Sequence, residues 1–463
     1  MNEDRPSVED MSYASRSTGV LDAARLPELP RMHAILTPVG SSGDINPFLT
    51  LGRGLRQRGH DVTLLGPEPF ARPAAAAGLE FVSVWSAEDY DRVTKDPDLW
   101  HPTRGTSLIF RTMGAQLRQA YALIEDVYQP SRSVLVGHTL SFATRVFEEV
   151  HRAPAVTVHL APSIFRSEFR QPAVAPGRDV SSWPRWVKRT MWWMLDRFFL
   201  DPLIVPTLNG WRAELGLLPV FRPLRSWVHS PQRVLGLFPE WFGGPQPDWP
   251  AQLVLAGFVM GDDSESPSLR TGPPCNGVVP SAQQIIGDGP PPLVFTPGSA
   301  NRQARSFFRA AVEASQQLGR RALLVTSYRE HLPVTLPPQV QHVPYAAFTT
   351  LFPLAAAVVH HGGIGTCAQG LAAGVPQVIM PMGFDQPDNA LQLTRLGVAG
   401  MVKPGEFTGR AVARTLDRVL SDQAVRDACA RYADKIRAEP SLARACDAIE
   451  SVSSTKPLPH GGR

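Results

Sequence analysis

The stretch that decides the fold runs from His360 to Ala390 and reads HHGGIGTCAQGLAAGVPQVIMPMGFDQPDNA. It follows the apolar segment AAAVV, and three glycines near its start precede a stretch with a helical pattern. Bare backbone amides at the start of a helix bind phosphate through aligned N–H groups and the positive end of the helix dipole. Thr366 adds a hydroxyl, and His360 or His361 adds a ring donor. The alternative is a tight strand-to-helix turn capped by Thr366, because a glycine-rich turn alone is a weak signal.

A second polar pair lies about 20 residues beyond the glycines. Asp385 and Gln386 follow the next apolar segment, PQVIMPM. Loops that follow the strands of a parallel sheet return to the same edge, so we expect the two clusters to lie together. A carboxylate and an amide suit sugar hydroxyls, which both donate and accept hydrogen bonds. The alternative is that Asp385 only caps the helix that follows.

These clusters belong to an uncharged segment. From His331 to Phe384 the chain has no Asp, Glu, Lys or Arg. A membrane-spanning helix needs roughly 20 mostly apolar residues, whereas prolines interrupt this segment and its longest proline-free piece, 354–375, contains two histidines and five glycines. The pattern therefore indicates a buried part of a folded domain that carries a site for a polar ligand.

Composition excludes several classes of protein. The chain has 463 residues, of which 43% are apolar and 19% charged, which is typical of two or three folded domains. A net charge of +4 is too small to indicate nucleic-acid binding. The four cysteines form no CxxC pair, so neither a disulfide framework nor a zinc site is expected. The first residues lack the apolar core of a signal peptide, and we expect a cytoplasmic protein.

Two halves of the chain repeat one pattern of strands and helices. The first half contains the apolar segments MHAILTPV, HDVTLLG, LEFVSVW, SVLVGH and PAVTVHLA, and the second contains PLVFTPGS, RALLVTSY, AAAVVHHGG and PQVIMPM. Apolar strands alternating with helices are typical of parallel sheets covered on both faces. The predicted fold is α/β, with two Rossmann-like domains facing each other across a cleft. The expected parts are a disordered tail at 1–30, domains at 31–228 and 229–440, and a C-terminal tail at 441–463.

Asp44 is a polar residue in the turn GSSGD, which follows the first strand. A carboxylate at this edge of the sheet can deprotonate a hydroxyl group. It can also cap the following helix, and the two roles are compatible.

A tryptophan-rich segment is the candidate acceptor site. Four of the ten tryptophans lie between positions 183 and 193, and Pro184 is a helix start signal. The segment is also basic, which suits an anionic lipid surface. It can equally form the wall of an apolar pocket, or a packed helix with solvated arginines. His138 and His159, at strand ends, either contact the acceptor or are satisfied core histidines.

Two blocks of this sequence resemble a known family. The block that begins at His360 resembles the donor-binding signature of the GT-B family 1 glycosyltransferases, and VGSSGDINPFLTLGRGLRQRGHDVTLLGP from Val39 resembles the opening of their acceptor domain. The resemblance covers roughly residues 32–435. It implies a GT-B fold and inverting transfer of a hexose from a nucleotide sugar, with no metal or other cofactor.

Shorter segments refine the resemblance. DPDLWHP, HSPQRVLGLFPEWFGGPQPDWP and LVFTPGS are similar to the rhamnosyltransferase of rhamnolipid synthesis. This implies dTDP-L-rhamnose as donor and a hydroxy-fatty-acid lipid as acceptor. Two alternatives stay open: a UDP- or dTDP-glucose-dependent enzyme acting on a sterol, polyketide or other aglycone, and a non-catalytic partner subunit of a transferase. Contact with the inner face of a membrane and with a partner transferase subunit are further expectations.

The resemblance also assigns roles to residues, with Asp44 as the general base. The donor is expected to contact Gly298, Ser299, Val343, Tyr345, His360, His361, Gly363, Gly365, Thr366, Asp385, Gln386 and Asn389. The acceptor is expected to contact Ser42, Gly43, His138, Trp192 and Met194.

Overall fold

Two parallel sheets form the core of the protein. The computed structural model describes residues 31–101, 103–261, 281–298, 301 and 304–453. The expected tail at 1–30, the last residues of the chain and Ser299 lie outside the described residues.

The N-terminal sheet has seven strands in the order β3-β2-β1-β4-β5-β6-β7, all parallel. The strands are β1 His33–Thr37, β2 Asp61–Pro67, β3 Glu80–Trp85, β4 Ser133–His138, β5 Ala155–His159, β6 Arg233–Gly236 and β7 Leu253–Leu255. The central strands β1, β4 and β5 are buried along their whole length, because helices cover both faces of the sheet.

The helices of the N-terminal half of the chain accompany this sheet. They are α1 Ser42–Gln57, α2 Ala71–Ala76, α3 Ala87–Lys95, α4 Arg104–Val127, α5 Phe142–His151, α6 Arg185–Leu195 and α7 Asp201–Glu214. A π-helical turn at Asp196–Leu200 joins α6 to α7. The inner faces of α4, α5 and α7 share one apolar cluster, which holds them as a layer beside the sheet.

The C-terminal sheet has six parallel strands in the order β10-β9-β8-β11-β12-β13. The strands are β8 Leu293–Thr296, β9 Ala322–Val325, β10 Val340–Val343, β11 Ala357–His360, β12 Gln377–Ile379 and β13 Ala399–Met401. Its helices are α8 Ala282–Ile286, α9 Arg305–Leu318, α10 Phe348–Leu351, α11 Ile364–Ala373, α12 Gln386–Arg395, α13 Gly409–Ser421 and α14 Gln423–Ala438. Both sheets therefore have the strand order of a Rossmann fold, and the predicted pair of Rossmann-like domains is confirmed.

The expected domain boundary at 228/229 is wrong. Strand β6 pairs with β5, and β7 pairs with β6, so residues 233–255 extend the N-terminal sheet. The segment RVLG is apolar enough to be buried in either sheet, and its sequence alone does not say which sheet it joins. The chain passes to the second sheet only after residue 255.

The expected C-terminal tail is also wrong over most of its length. Residues 441–453 form a fifteenth helix, α15 Ser441–Ser453, which packs on α1, β4 and β6 of the N-terminal sheet. Its Glu450 accepts hydrogen bonds from Arg58 at 2.8 Å and His60 at 2.9 Å. Cys446 and Ile449 are buried against the sheet. The chain thus returns to the N-terminal domain at its end.

No helix within the described residues has both the length and the apolar character needed to cross a membrane.

Candidate active site

A cavity of about 880 Å³ lies between the carboxyl ends of the strands of the two sheets. Ligand sites of open α/β sheets occur at this edge, and the volume is in the range of small-molecule sites. The N-terminal domain contributes the turn before α1, the ends of β3 to β5, and one face of α4. The predicted residues that line the cavity are Ser42, Gly43, Asp44, His138, Trp192, Gly298, Tyr345, His361, Gly363, Gly365, Thr366, Asp385 and Gln386.

Asp44 lies half-buried in the first turn of α1. Its Oδ2 atom accepts a hydrogen bond from the backbone N–H of Ser41 at 2.7 Å and one from the Ser41 hydroxyl at 3.2 Å. Burial raises the pKa of Asp44 to about 6, although these hydrogen bonds act in the opposite direction. The carboxylate is therefore ionised at neutral pH and basic enough to accept a proton.

The absence of a side chain at Gly40 leaves room for the carboxylate of Asp44. Its φ of 135° is one that other residues rarely adopt. A Cβ atom at this position would lie 2.2 Å from Asp44 Oδ2. The glycine before the turn is therefore needed to hold the carboxylate in place.

The glycine-rich turn after β11 forms the start of α11, as predicted. Gly363 is the N-cap, and the first-turn residues Gly365 and Thr366 face the cavity. The starts of α11 and α1 meet across the cleft, since a Cβ atom on Gly365 would lie 4.0 Å from Gly43 Cα. Two positive helix ends therefore converge on one point, which suits an anionic ligand.

The His361 ring fits between two glycines. A Cβ atom on Gly298, whose φ is 90°, would lie 2.5 Å from His361 Cε1, and one on Gly363 would lie 2.6 Å from its Nε2. The Nδ1 atom is buried and has no hydrogen-bond partner among the described residues. Burial, together with His360, lowers the pKa of His361 to about 3. The ring is therefore neutral at pH 7, and a diphosphate beside it would raise this pKa.

His360 has a different position from the one predicted. It is fully buried and does not line the cavity. Its Nδ1 accepts a hydrogen bond from the Gly362 N–H at 3.1 Å, and its Nε2 lies 2.8 Å from Gln377 Oε1. Both ring nitrogens are occupied, so His360 fixes the turn instead of contacting a donor.

Replacing His360 by alanine is expected to lower the free energy of unfolding by about 2 to 4 kcal/mol. The change removes a buried ring and leaves the Gly362 N–H and the Gln377 amide oxygen without their partner. Urea unfolding followed by circular dichroism measures the effect. His361→Ala is the matched control and should lose less than about 1 kcal/mol, because its ring faces the cavity. Equal losses in the two variants would contradict the assignment.

Asp385 and Gln386, the polar pair at the start of α12, have different roles. The side chain of Asp385 lines the cavity, and its Oδ2 accepts a hydrogen bond from Asn389 Nδ2 at 2.7 Å. Burial, followed by the charge of Asp44 across the cleft, raises the pKa of Asp385 to about 7. The carboxyl group can therefore both donate and accept hydrogen bonds near neutral pH.

Gln386 and Asn389 support this carboxyl group. Gln386 Oε1 accepts from the Met382 N–H at 2.8 Å, which fixes the loop before α12. Asn389 is fully buried, does not line the cavity and also donates to the Gly362 carbonyl at 3.0 Å. Its side chain joins the two loops from behind Asp385, away from the cavity, so its predicted role is an indirect one through Asp385.

The loop after β10 contributes Tyr345 but not Val343. Val343 is buried in the sheet, and its carbonyl accepts from the Thr326 N–H at 3.1 Å. It does not line the cavity, so the expected backbone contact to a base is not available at this residue. Tyr345 lines the cavity, and its place beside the base stays a prediction.

An apolar lobe occupies the N-terminal side of the cavity. Its walls come from α4, α5 and the segment around α6, and include Phe110, Met113, Leu117, Phe142, Trp192 and Phe199. Trp192 lines it as predicted, whereas Met194 is 45% exposed on the opposite side of α6 and does not. His138 also lines the lobe, and burial lowers its pKa to about 4. His159 instead pairs with Thr139 and His229 in the core.

Sequence reasoning missed Trp100 and Phe384, which both line the cavity. Their ring centroids lie 5.8 Å apart, although they come from different domains. The motif DPDLWHP was visible in the sequence, but nothing local indicated that its tryptophan reaches the other domain.

Comparison with known proteins agrees with this geometry. Residues 323–452 match the family described as erythromycin biosynthesis protein CIII-like, C-terminal domain. The chain is 30% identical over 441 residues to O-mycaminosyltylonolide 6-deoxyallosyltransferase of Streptomyces fradiae, covering 93% of this chain and 99% of that protein. The chain belongs to the GT-B family 1 glycosyltransferases.

Solved structures show the same fold. The glycosyltransferase resembles the glycosyltransferase of kitacinnamycin with a TM-score of 0.68 and 22% identity, covering 91% of this chain and 99% of that one. It also resembles the spinosyn rhamnosyltransferase SpnG complexed with thymidine diphosphate, with a TM-score of 0.61 and 18% identity, covering 89% and 98%. The GT-B fold and the enzyme class are confirmed, while the similarity to the rhamnosyltransferase of rhamnolipid synthesis stays a prediction.

Proposed function

We propose that this glycosyltransferase transfers a 6-deoxyhexose, with L-rhamnose as the expected sugar, from a dTDP-sugar to a hydroxyl group of a polyketide-type aglycone, with inversion at the anomeric carbon. One observation carries the proposal. Asp44 of the N-terminal domain and Asp385 of the C-terminal domain line the same cavity, at the point where the starts of α1 and α11 meet. A base on the acceptor side therefore adjoins the sugar end of the donor side.

The proposed mechanism is a direct displacement. Asp44 accepts the proton of the acceptor hydroxyl as its oxygen attacks the anomeric carbon, and the bond from that carbon to the nucleoside diphosphate breaks. The backbone N–H groups at the start of α11, Thr366 and the His361 ring stabilise the negative charge of the leaving diphosphate. Asp385 positions the sugar hydroxyls. The nucleotide sugar is the co-substrate, and we propose that no metal ion is needed.

The choice of donor is supported by the relatives. One is named a 6-deoxyallosyltransferase, and another was solved as a rhamnosyltransferase with thymidine diphosphate. In this chain Tyr345 supplies an aromatic ring at the end of the cavity where the base would lie. UDP- or dTDP-glucose is the alternative donor.

The choice of acceptor is supported by the apolar lobe. A broad chamber walled by α4 and the segment around α6 suits a large apolar aglycone, and the relative from Streptomyces fradiae is named for O-mycaminosyltylonolide as acceptor. The hydroxy-fatty-acid lipid expected from the rhamnolipid resemblance is the second candidate.

The test is a matrix of donors and acceptors. The purified chain is first screened by thermal shift with dTDP-rhamnose, dTDP-glucose and UDP-glucose, because a ligand that binds the native state raises its apparent stability. Donors that bind are then incubated with a macrolactone, a sterol and a hydroxy-fatty-acid dimer, and products are detected by mass spectrometry. We expect the dTDP-sugars to bind and the macrolactone to be glycosylated. Failure of every nucleotide sugar to bind or to be hydrolysed would overturn the function.

The outer face of α6 is proposed to contact an anionic membrane surface. It exposes Trp183, Trp186, Trp193, Met194 and Phe198 beside Arg185, Arg189 and Arg197. The one acid of this stretch, Asp196, is buried and paired with Arg166. Arg185 forms an ion pair with Glu168 at 3.7 Å, so the positive charge of this surface comes chiefly from Arg189 and Arg197. Apolar rings beside exposed cations suit the interface of an anionic bilayer.

We expect the protein to sediment with vesicles of phosphatidylcholine and phosphatidylglycerol, but not with phosphatidylcholine alone. Trp186→Ser with Trp193→Ser should abolish this binding, whereas Val334→Ser, at an even more exposed apolar position of the other domain, should not. Equal sedimentation of the double variant would contradict the proposal. A concentration-dependent dimer lost in the double variant would instead assign the surface to a protein partner.

A further inference from the structure

Trp100 is held rigidly at the rim of the cavity. It ends a short 3₁₀ turn, Pro97–Trp100, whose start is fixed by a hydrogen bond from the Asp98 N–H to Asp96 Oδ1 at 2.8 Å. The start of α4 packs closely on this turn, since a Cβ atom on Gly105 would lie 2.2 Å from the Leu99 carbonyl oxygen. The backbone that carries the indole is therefore packed against the start of α4.

The indole lies against two residues of the other domain. Its ring centroid is 6.5 Å from the His361 ring and 5.8 Å from the Phe384 ring, both in edge-to-face arrangements. His361 marks the diphosphate end of the proposed donor site, and Phe384 directly precedes Asp385 at the sugar end. The part of the donor next to Trp100 is therefore the sugar.

The backbone at Phe384 is unusual. Its φ of 57° lies in the left-handed region, which is uncommon for a residue other than glycine. The conformation turns Asp385 into the cavity and leaves the Phe384 ring 44% exposed beside Trp100. The two rings form an apolar wall next to the carboxyl group.

The polar edge of Trp100 lacks a partner. The Nε1 atom is buried from water and has no hydrogen-bond acceptor within the described part of the chain. Tryptophan N–H groups usually find a partner when they are buried. A donor that brings an oxygen atom to this edge would supply the missing acceptor.

We infer that Trp100 determines the choice of donor sugar, although it belongs to the acceptor domain. Its N–H donates a hydrogen bond to a sugar oxygen, and its ring, together with Phe384, packs against the methyl group at C6 of a 6-deoxyhexose. A hexose with a hydroxyl group at C6 would bury that group against carbon, which is unfavourable. The inference rests on the proposed function and assigns its sugar selectivity to a named residue.

The test compares two donors that differ in one hydroxyl group. Affinities for dTDP-6-deoxyglucose, dTDP-glucose and dTDP are measured by calorimetry for the wild type, Trp100→Phe and Trp100→Ala. We expect the wild type to prefer the 6-deoxy donor by about 10- to 100-fold, the range that an apolar pocket achieves against an added hydroxyl. Trp100→Phe should keep this preference but bind both sugars about 10-fold more weakly, because it keeps an aromatic ring and lacks the N–H donor. Trp100→Ala should lose the preference, and both variants should bind dTDP like the wild type.

Trp193→Phe is the matched control, because this tryptophan is exposed on α6 and does not line the cavity. Its three affinities should equal those of the wild type. An unchanged sugar preference in Trp100→Ala, or an equal loss of dTDP and dTDP-sugar binding in both variants, would overturn the inference while the proposed function stands. If Trp100→Ala does not fold, Trp100→Phe provides the test: it should bind the dTDP-sugars about 10-fold more weakly than the wild type and dTDP equally well. If the wild type binds dTDP but no nucleotide sugar, the proposed function fails first.

Discussion

Replacement of Asp44 by asparagine is expected to abolish transfer and to leave donor binding nearly unchanged. A general base contributes about 10²- to 10⁴-fold to a rate, and kcat should fall by this factor. The asparagine oxygen can still accept the hydrogen bond from the Ser41 N–H, so the start of α1 should keep its geometry. Single-turnover transfer and calorimetric titration with dTDP-sugar measure the two quantities. Retained transfer would remove Asp44 as the base.

The pH dependence of the wild type provides an independent check. Asp44 must be ionised to accept a proton, and burial raises its pKa to about 6. Therefore kcat/KM should rise as the pH increases through about 6 and fall below it. The residual activity of Asp44→Asn should not show this rise of kcat/KM with pH.

The contribution of Asp44 to the free energy of unfolding should change with pH in the opposite direction to kcat/KM. Because the pKa of Asp44 is higher in the folded state than its ordinary value of 3.8, protonation stabilises the fold at low pH, and this contribution is lost as the pH rises through about 6. Asp44→Asn removes the buried charge, so it should raise Tm more at pH 8 than at pH 4. A lower Tm at pH 8 would show that the charge stabilises the fold.

Replacement of His361 by alanine is expected to lower kcat by about 10²- to 10³-fold. This is the typical loss when one donor to a developing negative charge is removed. The ring lies between Gly298 and Gly363 at the start of α11, where the diphosphate of the donor is proposed to bind. Donor affinity should fall as well, because the ring is proposed to contact the diphosphate both before and after the reaction.

Two further variants sharpen this test. His361→Gln keeps a donor group and should recover part of the activity. Gly298→Ala, which drives a Cβ atom into the His361 ring, should resemble His361→Ala in donor binding. Steady-state kinetics with dTDP-sugar measure all three. Wild-type kcat in His361→Ala would exclude the ring from leaving-group stabilisation.

The parts predicted correctly from the sequence are those set by local pattern. Apolar segments between glycine turns marked the strands on both sides of the cleft, and GSSGD placed Asp44 at the sheet edge. The loops around His361 and Asp385 met because loops after parallel strands share one edge.

The wrong predictions concern features that the local sequence pattern does not determine. Neighbouring residues of a strand point to opposite faces, so only one of His360 and His361 could face the cavity, and the register of β11 decides which. Residues two apart on a helix point about 200° apart, so Trp192 and Met194 could not share a wall. The pairing partners of β6 and the packing of α15 depend on contacts distant in sequence, which one chain alone does not reveal.

The return of α15 to the N-terminal sheet limits how the enzyme can open. The polypeptide passes between the two sheets once after β7 and again between α14 and α15. The chain therefore connects the two domains at two points. The domains can rotate about the axis through both connections, but they cannot twist freely as they could around a single connection. Removal of residues after 440 would therefore change how the two domains can rotate relative to each other. It would also expose the apolar surface of α1 and β4 that α15 covers. The last described residue of the chain accordingly lies on the N-terminal domain.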